Sequence, residues 1–413
     1  MTTSHQSRHR VDAMPSARAS LALDARSLAL ARAIDRSRGA ETRVRRCART
    51  ANASTMGART DGATTTRWRP RAVRTLVDWA VTLVVTMVRA KRGGACGRGV
   101  GRGPARWLTR RAADADEDAE LAVGALVTGW SSGLGRASAL ALAREGYAIA
   151  VPYRLGGVSE AHAFARACRR EAPETRVELV GPLDLASERD VGGISLVELR
   201  RRGVDVRVVV HCAAVFADEG DVEGRSLTAT VNFHNVALLT DRLVQEMTRA
   251  SRASPIRVVF VGSFVHRCST ARALGFEAFE RWLKSGTSSE DDPTLNYMWS
   301  KVAISAYAVE KHRIWQKEFG GRVSAVLLDP GLIDTRLVRH WPKTLQVLYR
   351  FFGKASGLMQ APSKAARGVV LAVSREPTSS ECPQMFGSRG ALTEGSFWTS
   401  DKRVREACVS SSA

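Results

Sequence analysis

Short apolar runs alternate with amphipathic stretches over most of the chain. Runs of five to seven residues rich in valine, leucine and alanine predict buried strands at residues 121–127, 147–151, 176–180, 204–210, 256–261 and 323–328. Stretches with helical spacing follow several of them, at residues 136–146, 187–202 and 228–247. Strands that alternate with helices predict an α/β fold, in which helices cover both faces of one parallel sheet.

The same pattern divides the chain into four parts. Residues 1–113 are predicted to be a basic extension, mostly disordered, with one apolar segment at 75–88. The acidic run 114–120 is predicted to be a linker. Residues 121–390 then form a single folded domain, and residues 391–413 form a C-terminal tail.

The positive charge of the chain belongs to the extension. The formal net charge is +21, yet residues 1–113 contain 24 Lys and Arg against 6 Asp and Glu, whereas residues 114–413 contain 38 against 35. The folded part is therefore almost neutral, and no nucleic-acid partner is predicted. The seven cysteines have neither metal-ligand nor redox-motif spacing. They predict reduced thiols in an intracellular compartment and no metal site.

The extension has the composition of a targeting segment. It is rich in Arg and Ser and poor in acidic residues, which resembles an organellar, chloroplast-like transit peptide. Its uncharged run at 79–88 would span about 15 Å as a helix, half of a bilayer core. An interfacial membrane anchor at 75–92, with basic residues behind it, is therefore favoured over a spanning helix. A disordered basic tail with one apolar segment is the alternative. The predicted location is organellar or membrane-associated.

A glycine-rich loop joins the first predicted strand to the first predicted helix. It reads Thr128-Gly129-Trp130-Ser131-Ser132-Gly133-Leu134-Gly135. Glycines let a phosphate approach the backbone, and the N–H groups at the start of a helix attract an anion. A strand, a glycine loop and a helix in this order predict a dinucleotide site in a Rossmann-type, doubly wound parallel sheet.

The loop spacing Thr-Gly-x-x-x-Gly-x-Gly resembles that of the short-chain dehydrogenase/reductase family. The resemblance extends to Asn232, Ser263 and the pair Tyr297 and Lys301, which stand in the family's order with the spacing Tyr-x-x-x-Lys. It implies hydride transfer between nicotinamide and a carbonyl or alcohol carbon. Tyr297 would be the acid/base, Ser263 would bind the substrate oxygen, Lys301 would hold the nicotinamide ribose and Asn232 a water. Because positions 297 and 301 share one helix face, the ammonium is expected to lower the pKa of the phenol.

The resemblance also predicts the cofactor, NADP(H). Where the family's NAD-selecting acid would stand at the end of the second predicted strand, the chain has Tyr153, followed by Arg154. NADP-preferring members often place a basic residue there, and a guanidinium can pair with a 2′-phosphate. The predicted cofactor-binding residues are Thr128, Gly129, Ser131, Ser132, Gly133, Leu134, Gly135, Arg154, Asp184, Leu185, Ala213, Tyr297, Lys301, Pro330, Gly331, Ile333 and Thr335.

Several positions depart from the family pattern. Trp130 replaces a small residue, Asn235 replaces a glycine, and His211-Cys212 replaces a pair of asparagines. The 34-residue gap between Ser263 and Tyr297 is long, and its polar part at 285–293 predicts an inserted surface loop near the mouth of the active site. These departures leave a second function open, that of a catalytically weak NADP-binding protein with a redox-sensing or regulatory role.

Three strings resemble the plant Forever Young branch of the family. They are Ser263-Phe264-Val265-His266-Arg267, Asp329-Pro330-Gly331 and Gly357-Leu358-Met359-Gln360. Aromatic residues between 336 and 359 indicate either an apolar pocket or contact with a membrane. The predicted substrate is therefore a small, apolar alcohol or carbonyl compound. A homo-oligomer is left open.

Overall fold

The protein is described by a computed structural model over residues 70–92, 103–109, 121–216, 221–222, 224–251, 253–288, 292–335, 337, 343–378, 382–387, 390 and 392–411. The chain separates into two units at residues 67 and 68, and the second unit contains every described residue. The predicted linker 114–120 and most of the predicted extension lie outside the described residues.

Seven parallel strands form the central sheet: β1 Ala122–Thr128, β2 Ala148–Pro152, β3 Val177–Val180, β4 Val204–His211, β7 Ile256–Val261, β8 Val323–Leu328 and β9 Gln384–Phe386. Their order across the sheet is β3-β2-β1-β4-β7-β8-β9. Two further short strands, β5 Asp221–Val222 and β6 Arg225–Ser226, form a separate antiparallel hairpin. The chain moves outward from β1 to β3 and then returns to place β4 on the other side of β1. This reversal leaves a crevice at the carboxyl ends of β1 and β4.

Helices cover both faces of this sheet, so the predicted doubly wound α/β fold is confirmed. Successive residues of a strand point to opposite faces of the sheet and belong to different apolar clusters. In β1, Leu126 belongs to one cluster, and Ala125 and Val127 belong to the other. The helices are α1 Pro70–Arg92, α2 Arg106–Thr109, α3 Gly133–Arg144, α4 Val158–Glu171, α5 Glu188–Gly193, α6 Val197–Arg201, α7 Leu227–Ala229, α8 Asn235–Ala250, α9 Ser269–Ser285, α10 Pro293–Glu318, α11 Lys343–Ala355, α12 Pro362–Ser374, α13 Phe397–Ser400 and α14 Lys402–Ser410.

Two predicted helices are interrupted. The stretch 187–202 forms α5 and α6, because Gly192 and Gly193 end α5 and the buried Ile194 that follows is extended. The stretch 228–247 begins as α7, passes through a π-helical turn at Thr230–His234 and continues as α8 to Ala250. A π-turn of this kind often marks a functional position in a helix.

The gap between Ser263 and Tyr297 is mostly helical, and the described residues of the predicted loop 285–293 form a short connection between α9 and α10, in which Ser288 and Asp292 are buried rather than at the surface. Helix α9 fills much of the gap and buries the aromatic side chains of Phe279 and Trp282. The polar residue Asp292 is also buried, because its carboxylate caps α10 by accepting hydrogen bonds from the backbone N–H and the hydroxyl of Thr294, at 2.8 and 2.6 Å. Residues 289–291 lie outside the described part.

Two segments of the predicted extension pack on the folded unit. Helix α1 buries Trp79 and Leu83 on one face. In α2, the indole of Trp107 donates a hydrogen bond to the carbonyl of Ser374 at 3.0 Å, and the guanidinium of Arg257 lies 4.5 Å from its ring centroid. Among the described helices, none combines the length and the hydrophobicity that crossing a bilayer requires.

The segment predicted as a C-terminal tail contains two helices, α13 and α14, that pack on α10. The Trp398 ring lies edge-on to that of Trp299, with centroids 5.5 Å apart. The guanidinium of Arg405 pairs with the buried carboxylate of Glu310 at 3.1 Å. The folded unit therefore extends at both ends beyond the predicted domain 121–390.

Candidate active site

A cavity of about 530 Å³ lies at the crevice where the strand order reverses. It is lined by every predicted cofactor residue and by three of the four predicted catalytic residues, Ser263, Tyr297 and Lys301. Asn232 does not line it. Side chains and backbone from points between residues 128 and 335 therefore converge on one space.

Two positions of the glycine loop leave no room for a side chain. A Cβ on Gly129, whose φ is +71°, would lie 2.8 Å from the backbone nitrogen of Ala213. A Cβ on Gly135 would lie 2.2 Å from the carbonyl oxygen of Gly129. The Thr128 hydroxyl accepts a hydrogen bond from Ala213 N–H at 3.2 Å, which ties the ends of β1 and β4 together. The loop is thus held where its backbone lines the cavity, a geometry suited to a pyrophosphate.

Trp130 fits into the loop without filling the cavity. Its indole N–H donates a hydrogen bond to the carbonyl of Pro152 at the end of β2. Its ring packs on Phe164 of α4, with centroids 5.1 Å apart, and only 6% of the residue is exposed. The bulky residue at this position therefore becomes part of the core beneath the loop.

His211 and Cys212 add no charge to the site at neutral pH. Burial lowers the pKa of His211 to about 3, and the ring hydrogen-bonds with the hydroxyl of Thr240 at 2.9 Å and stacks on Phe260. Burial raises the pKa of the Cys212 thiol, which lines the cavity, to about 12. This departure from the family pattern is therefore accommodated by packing and hydrogen bonding.

Asn232 supports the cavity wall from behind. It lies in the π-turn. Its side-chain oxygen accepts a hydrogen bond from the N–H of Val215, and its side-chain nitrogen donates one to the carbonyl of Val215, each at 2.8 Å. The same nitrogen donates to the Ser300 hydroxyl at 3.2 Å. Asn235, in place of the family's glycine, donates to the carbonyl of Leu185 at 2.9 Å. Both asparagines therefore fix loops that line the cavity, and the water implied for Asn232 stays a prediction.

Ser263, Tyr297 and Lys301 form the chemical centre of the cavity. Ser263 follows β7, and its hydroxyl hydrogen-bonds with the Tyr297 hydroxyl. Lys301 lies one turn after Tyr297 on α10, with its nitrogen 5.7 Å from the centroid of the phenol ring. That nitrogen donates to the carbonyl of Val261 at 3.1 Å. The hydroxyl, phenol and ammonium groups predicted from the sequence are therefore adjacent.

The electrostatics of this centre differ from the prediction. Burial raises the pKa of Tyr297 above its ordinary value, and its hydrogen bond with Ser263 acts in the opposite direction but is outweighed. Burial also lowers the pKa of Lys301 to about 8. The expected lowering of the phenol pKa by Lys301 is therefore wrong in this structure, because desolvation disfavours both charged forms. A phenol that is neutral at pH 7 can donate a proton to a carbonyl oxygen.

The loop after β8 is held by residues from all three strings that resemble the Forever Young branch. Arg267 pairs with the buried Asp329 at 3.0 Å, and Asp329 also accepts from the N–H of Gly331 at 3.0 Å. The Gln360 side chain donates to the carbonyl of Pro330 at 2.5 Å. These contacts fix the loop that carries four of the predicted cofactor residues. Residues of the three strings therefore hold the same loop in place.

Aromatic residues complete the cavity wall, and of these the sequence had indicated only the stretch 336–359, which contains Tyr349. Trp79, Phe216 and Tyr349 line it, and the Phe216 ring centroid lies 5.0 Å from that of Tyr297. Phe216 follows the carboxyl end of β4, a position that could have indicated it. The sequence does not indicate that Trp79 is buried. Trp79 and Leu83 are four residues apart, and so are Val77, Val81 and Val85, so both faces of the helix have the same apolar spacing.

Comparison with known proteins identifies relatives of this chain. A family model described as short chain dehydrogenase matches residues 124–273. The chain is 31% identical over 235 residues to a mouse polyprenol dehydrogenase, a match that covers 55% of this chain and 65% of that protein. It is 27% identical to mouse retinol dehydrogenase 13, over 52% of this chain and 60% of the relative. These matches span less than two thirds of either relative.

Two solved structures show the extent of the structural likeness. One is the angucycline C-6 ketoreductase LanV with bound NADP, at 21% identity and a TM-score of 0.48, covering 66% of this chain and 96% of that one. The other is a dehydrogenase/reductase from Sinorhizobium meliloti, at 20% identity and a TM-score of 0.46, covering 66% and 96%.

Proposed function

We propose, from the premise that residues 124–273 belong to the short-chain dehydrogenase family, that the chain is an NADP(H)-dependent oxidoreductase. It would transfer a hydride between nicotinamide and the carbonyl or alcohol carbon of an apolar small molecule. One observation carries the proposal. The glycine loop, the loop after β8, and the hydroxyls of Ser263 and Tyr297 with the ammonium of Lys301 all line a single cavity.

The residues around the cavity fit a dinucleotide. The glycine loop lines the cavity at the start of α3, and only glycine fits at positions 129 and 135, where a Cβ would collide with neighbouring backbone. Arg154 lines the cavity at the end of β2 and is exposed, so its guanidinium is available to a 2′-phosphate. The loop at 330–335 would hold the nicotinamide end. When bound, NADPH supplies the hydride.

The chain itself supplies the proton and the orientation. In the reducing direction, the Ser263 hydroxyl would donate a hydrogen bond to the substrate carbonyl oxygen and hold it beside Tyr297. The Tyr297 hydroxyl would then transfer its proton to that oxygen as the carbon accepts the hydride, so that a carbonyl becomes an alcohol. The Lys301 ammonium would stabilise the phenolate left behind. Oxidation of an alcohol would run through the same groups in reverse.

An apolar substrate agrees with the wall around Tyr297. Phe216, Leu227, Val231, Phe264 and Tyr349 line the cavity, and the Phe216 ring lies against that of Tyr297. Polyprenol and retinol, named in two of the relatives, are alcohols with long hydrocarbon chains. We propose that the substrate of the present chain belongs to the same class.

Cofactor choice tests the proposal directly. Replacing Arg154 with alanine in the full-length chain is expected to weaken NADPH binding by about 10- to 100-fold, since a charge-assisted pair contributes about 1.5–3 kcal/mol. NADH has no 2′-phosphate, so its binding should change little. Titration of both nucleotides, followed by their fluorescence, measures the two effects. Arg166→Ala, an exposed arginine of α4 outside the cavity, is the matched control. Equal losses for both nucleotides, or no loss for either, would rule out this role for Arg154.

We also propose that the surface around the cavity rests on a lipid bilayer. On α1, Val77, Val81 and Val85 are between 43% and 59% exposed, and on α11 Val347 and Phe351 are 65% and 64% exposed. Both helices also line the cavity, through Trp79 and Tyr349. Exposed apolar residues beside an opening for an apolar substrate favour transfer from a membrane.

Vesicle binding tests this second proposal. Full-length protein should co-float with phosphatidylcholine vesicles that contain phosphatidylserine. Changing Val77, Val81 and Val85 to serine together should lower the membrane partition coefficient about 100-fold, because each buried valine contributes on the order of 1 kcal/mol. Val197→Ser, on the exposed surface of α6, should have no effect. Equal flotation of the triple variant and the native chain would contradict the proposal. Organellar targeting, self-association and membership of the Forever Young branch stay predictions.

A further inference from the structure

We infer that Trp79 of helix α1 is the specificity-determining wall of the substrate pocket and selects apolar alcohols and carbonyl compounds. The inference rests on the proposed oxidoreductase function and extends it to a residue far before the glycine loop. The Trp79 ring centroid lies 5.8 Å from that of Tyr297 and 6.1 Å from that of Phe216. Its side chain also lines the same cavity as Ser263 and Lys301. A substrate oxygen placed at Tyr297 would bring the rest of the molecule against this indole.

Helix α1 is fixed in position by the residue next to Trp79. The Asp78 carboxylate accepts hydrogen bonds from the Ser269 hydroxyl at 2.7 Å and from the backbone N–H and the hydroxyl of Thr270 at 2.7 and 2.8 Å. These groups lie at the first turn of α9, where a carboxylate is favoured by the free N–H groups. Burial tends to raise the pKa of Asp78, but the hydrogen bonds outweigh it and the pKa is lowered. The carboxylate therefore remains charged and bonded at neutral pH.

A second contact fixes the helix one turn further on. Leu83 packs in an apolar cluster with Leu332, Phe264 and Tyr349, all of which line the cavity. Leu332 belongs to the loop after β8, beside the predicted cofactor residue Ile333. Asp78 and Leu83 thus hold α1 on either side of Trp79, and rotation of the helix would break both contacts. The indole is therefore held in place as part of the cavity wall.

Ring packing, without a hydrogen bond, holds the indole of Trp79. Only 7% of Trp79 is exposed, and its N–H has no partner among the described residues. Trp282 and Trp398, which are buried outside the cavity, also lack a partner for the indole N–H, so this feature is not specific to the site. The ring contacts Phe216 and Tyr297, an apolar setting that suits contact with an apolar molecule.

The test uses the full-length chain with three substitutions. Trp79→Ala removes the wall, Trp79→Phe keeps an aromatic ring, and Val197→Ala changes an exposed residue of α6 as the control. Reduction of 2-undecanone and of 2-butanone by NADPH compares a long apolar ketone with a short one. Binding of retinol, followed by its own fluorescence, reports on the pocket without turnover. NADPH titration and thermal unfolding show whether each variant is folded and binds nucleotide.

We expect Trp79→Ala to raise the KM for 2-undecanone and the Kd for retinol about tenfold, because an aromatic contact in an apolar pocket is lost. The KM for 2-butanone and the Kd for NADPH should stay within about twofold, since neither depends on the outer wall. Trp79→Phe should restore most of the discrimination between the two ketones. Val197→Ala should match the native chain.

The results separate this inference from the proposed function. Native turnover with unchanged discrimination in Trp79→Ala would overturn the inference and leave the oxidoreductase intact. Retinol binding that depends on Trp79, without turnover by the native chain, would support the pocket wall and refute the enzyme. Absence of both turnover and retinol binding in the native chain would overturn the inference, as would loss of NADPH binding in Trp79→Ala with the fold retained.

Discussion

Replacing Tyr297 with phenylalanine is expected to lower turnover with NADPH by about 10²- to 10⁴-fold, the range that a positioned general acid contributes. The phenylalanine ring keeps the packing against Trp79 and Phe216, so the fold and NADPH binding should be preserved. Only the hydroxyl that bonds with Ser263 is removed. The measurement is kcat for the apolar ketone that the native chain reduces fastest, with the NADPH Kd measured in parallel.

Tyr307→Phe provides the matched control for this experiment. Tyr307 lies on the same helix, is also buried, and donates a hydrogen bond from its hydroxyl to the carbonyl of Ala237 at 3.1 Å. Its loss should cost stability of about 1 kcal/mol and leave kcat nearly unchanged. A Tyr297→Phe variant with kcat within about tenfold of native would contradict the assigned role. NADPH binding without turnover by the native chain would instead favour the alternative, a redox-sensing or regulatory NADP-binding protein.

Replacing Arg267 with alanine is expected to lower the free energy of unfolding by about 3–5 kcal/mol. The side chain of Asp329 is only 2% exposed, and that of Arg267 is 14% exposed. Burial raises the pKa of Asp329, and Arg267 is the main influence that opposes it. Without the guanidinium, a carboxylate would remain buried beside the loop that carries Pro330 and Gly331. Nucleotide binding should therefore weaken together with stability.

Urea unfolding of the full-length chain measures this loss as a lower midpoint at unchanged slope. The double variant Arg267→Leu with Asp329→Asn should recover much of it, because the asparagine oxygen can still accept from the N–H of Gly331 and no charge is buried. Lys284→Ala removes an exposed pair with Glu280 and should cost less than about 0.5 kcal/mol. A similarly small cost for Arg267→Ala would show that Asp329 does not need its partner.

The chemical groups of the site could be predicted because each follows a strand end or shares a helix turn. In an open parallel sheet, the residues after β1, β4, β7 and β8 meet at one edge whatever the details of packing. Local spacing therefore indicated the glycine loop, and the family resemblance indicated Ser263 and the loop after β8. The resemblance also indicated Tyr297 and Lys301, and the periodicity of a helix accounts for their proximity.

The pKa of Tyr297 and the nature of the insert could not be predicted in the same way. Spacing indicates that Lys301 is near Tyr297, but it does not indicate that both groups lose contact with water. In the insert, Asp292 is polar in sequence yet buried, because its carboxylate satisfies the first N–H groups of α10. Both outcomes depend on desolvation and on partners distant in the chain.

The sequence by itself determined the doubly wound sheet, the edge where a dinucleotide would lie, and the hydroxyl, phenol and ammonium groups beside it. The sheet and the edge follow from periodicities and spacings of a few residues, and the three groups follow from the resemblance to the family's motifs. Only the tertiary structure decided that helix α1 belongs to the active site. Its two faces are both apolar, so local pattern could not tell which face is buried. The buried face is fixed by the hydrogen bonds that Asp78 of α1 makes with the start of α9, about 190 residues further along the chain. It is also the face on which Trp79 lines the cavity.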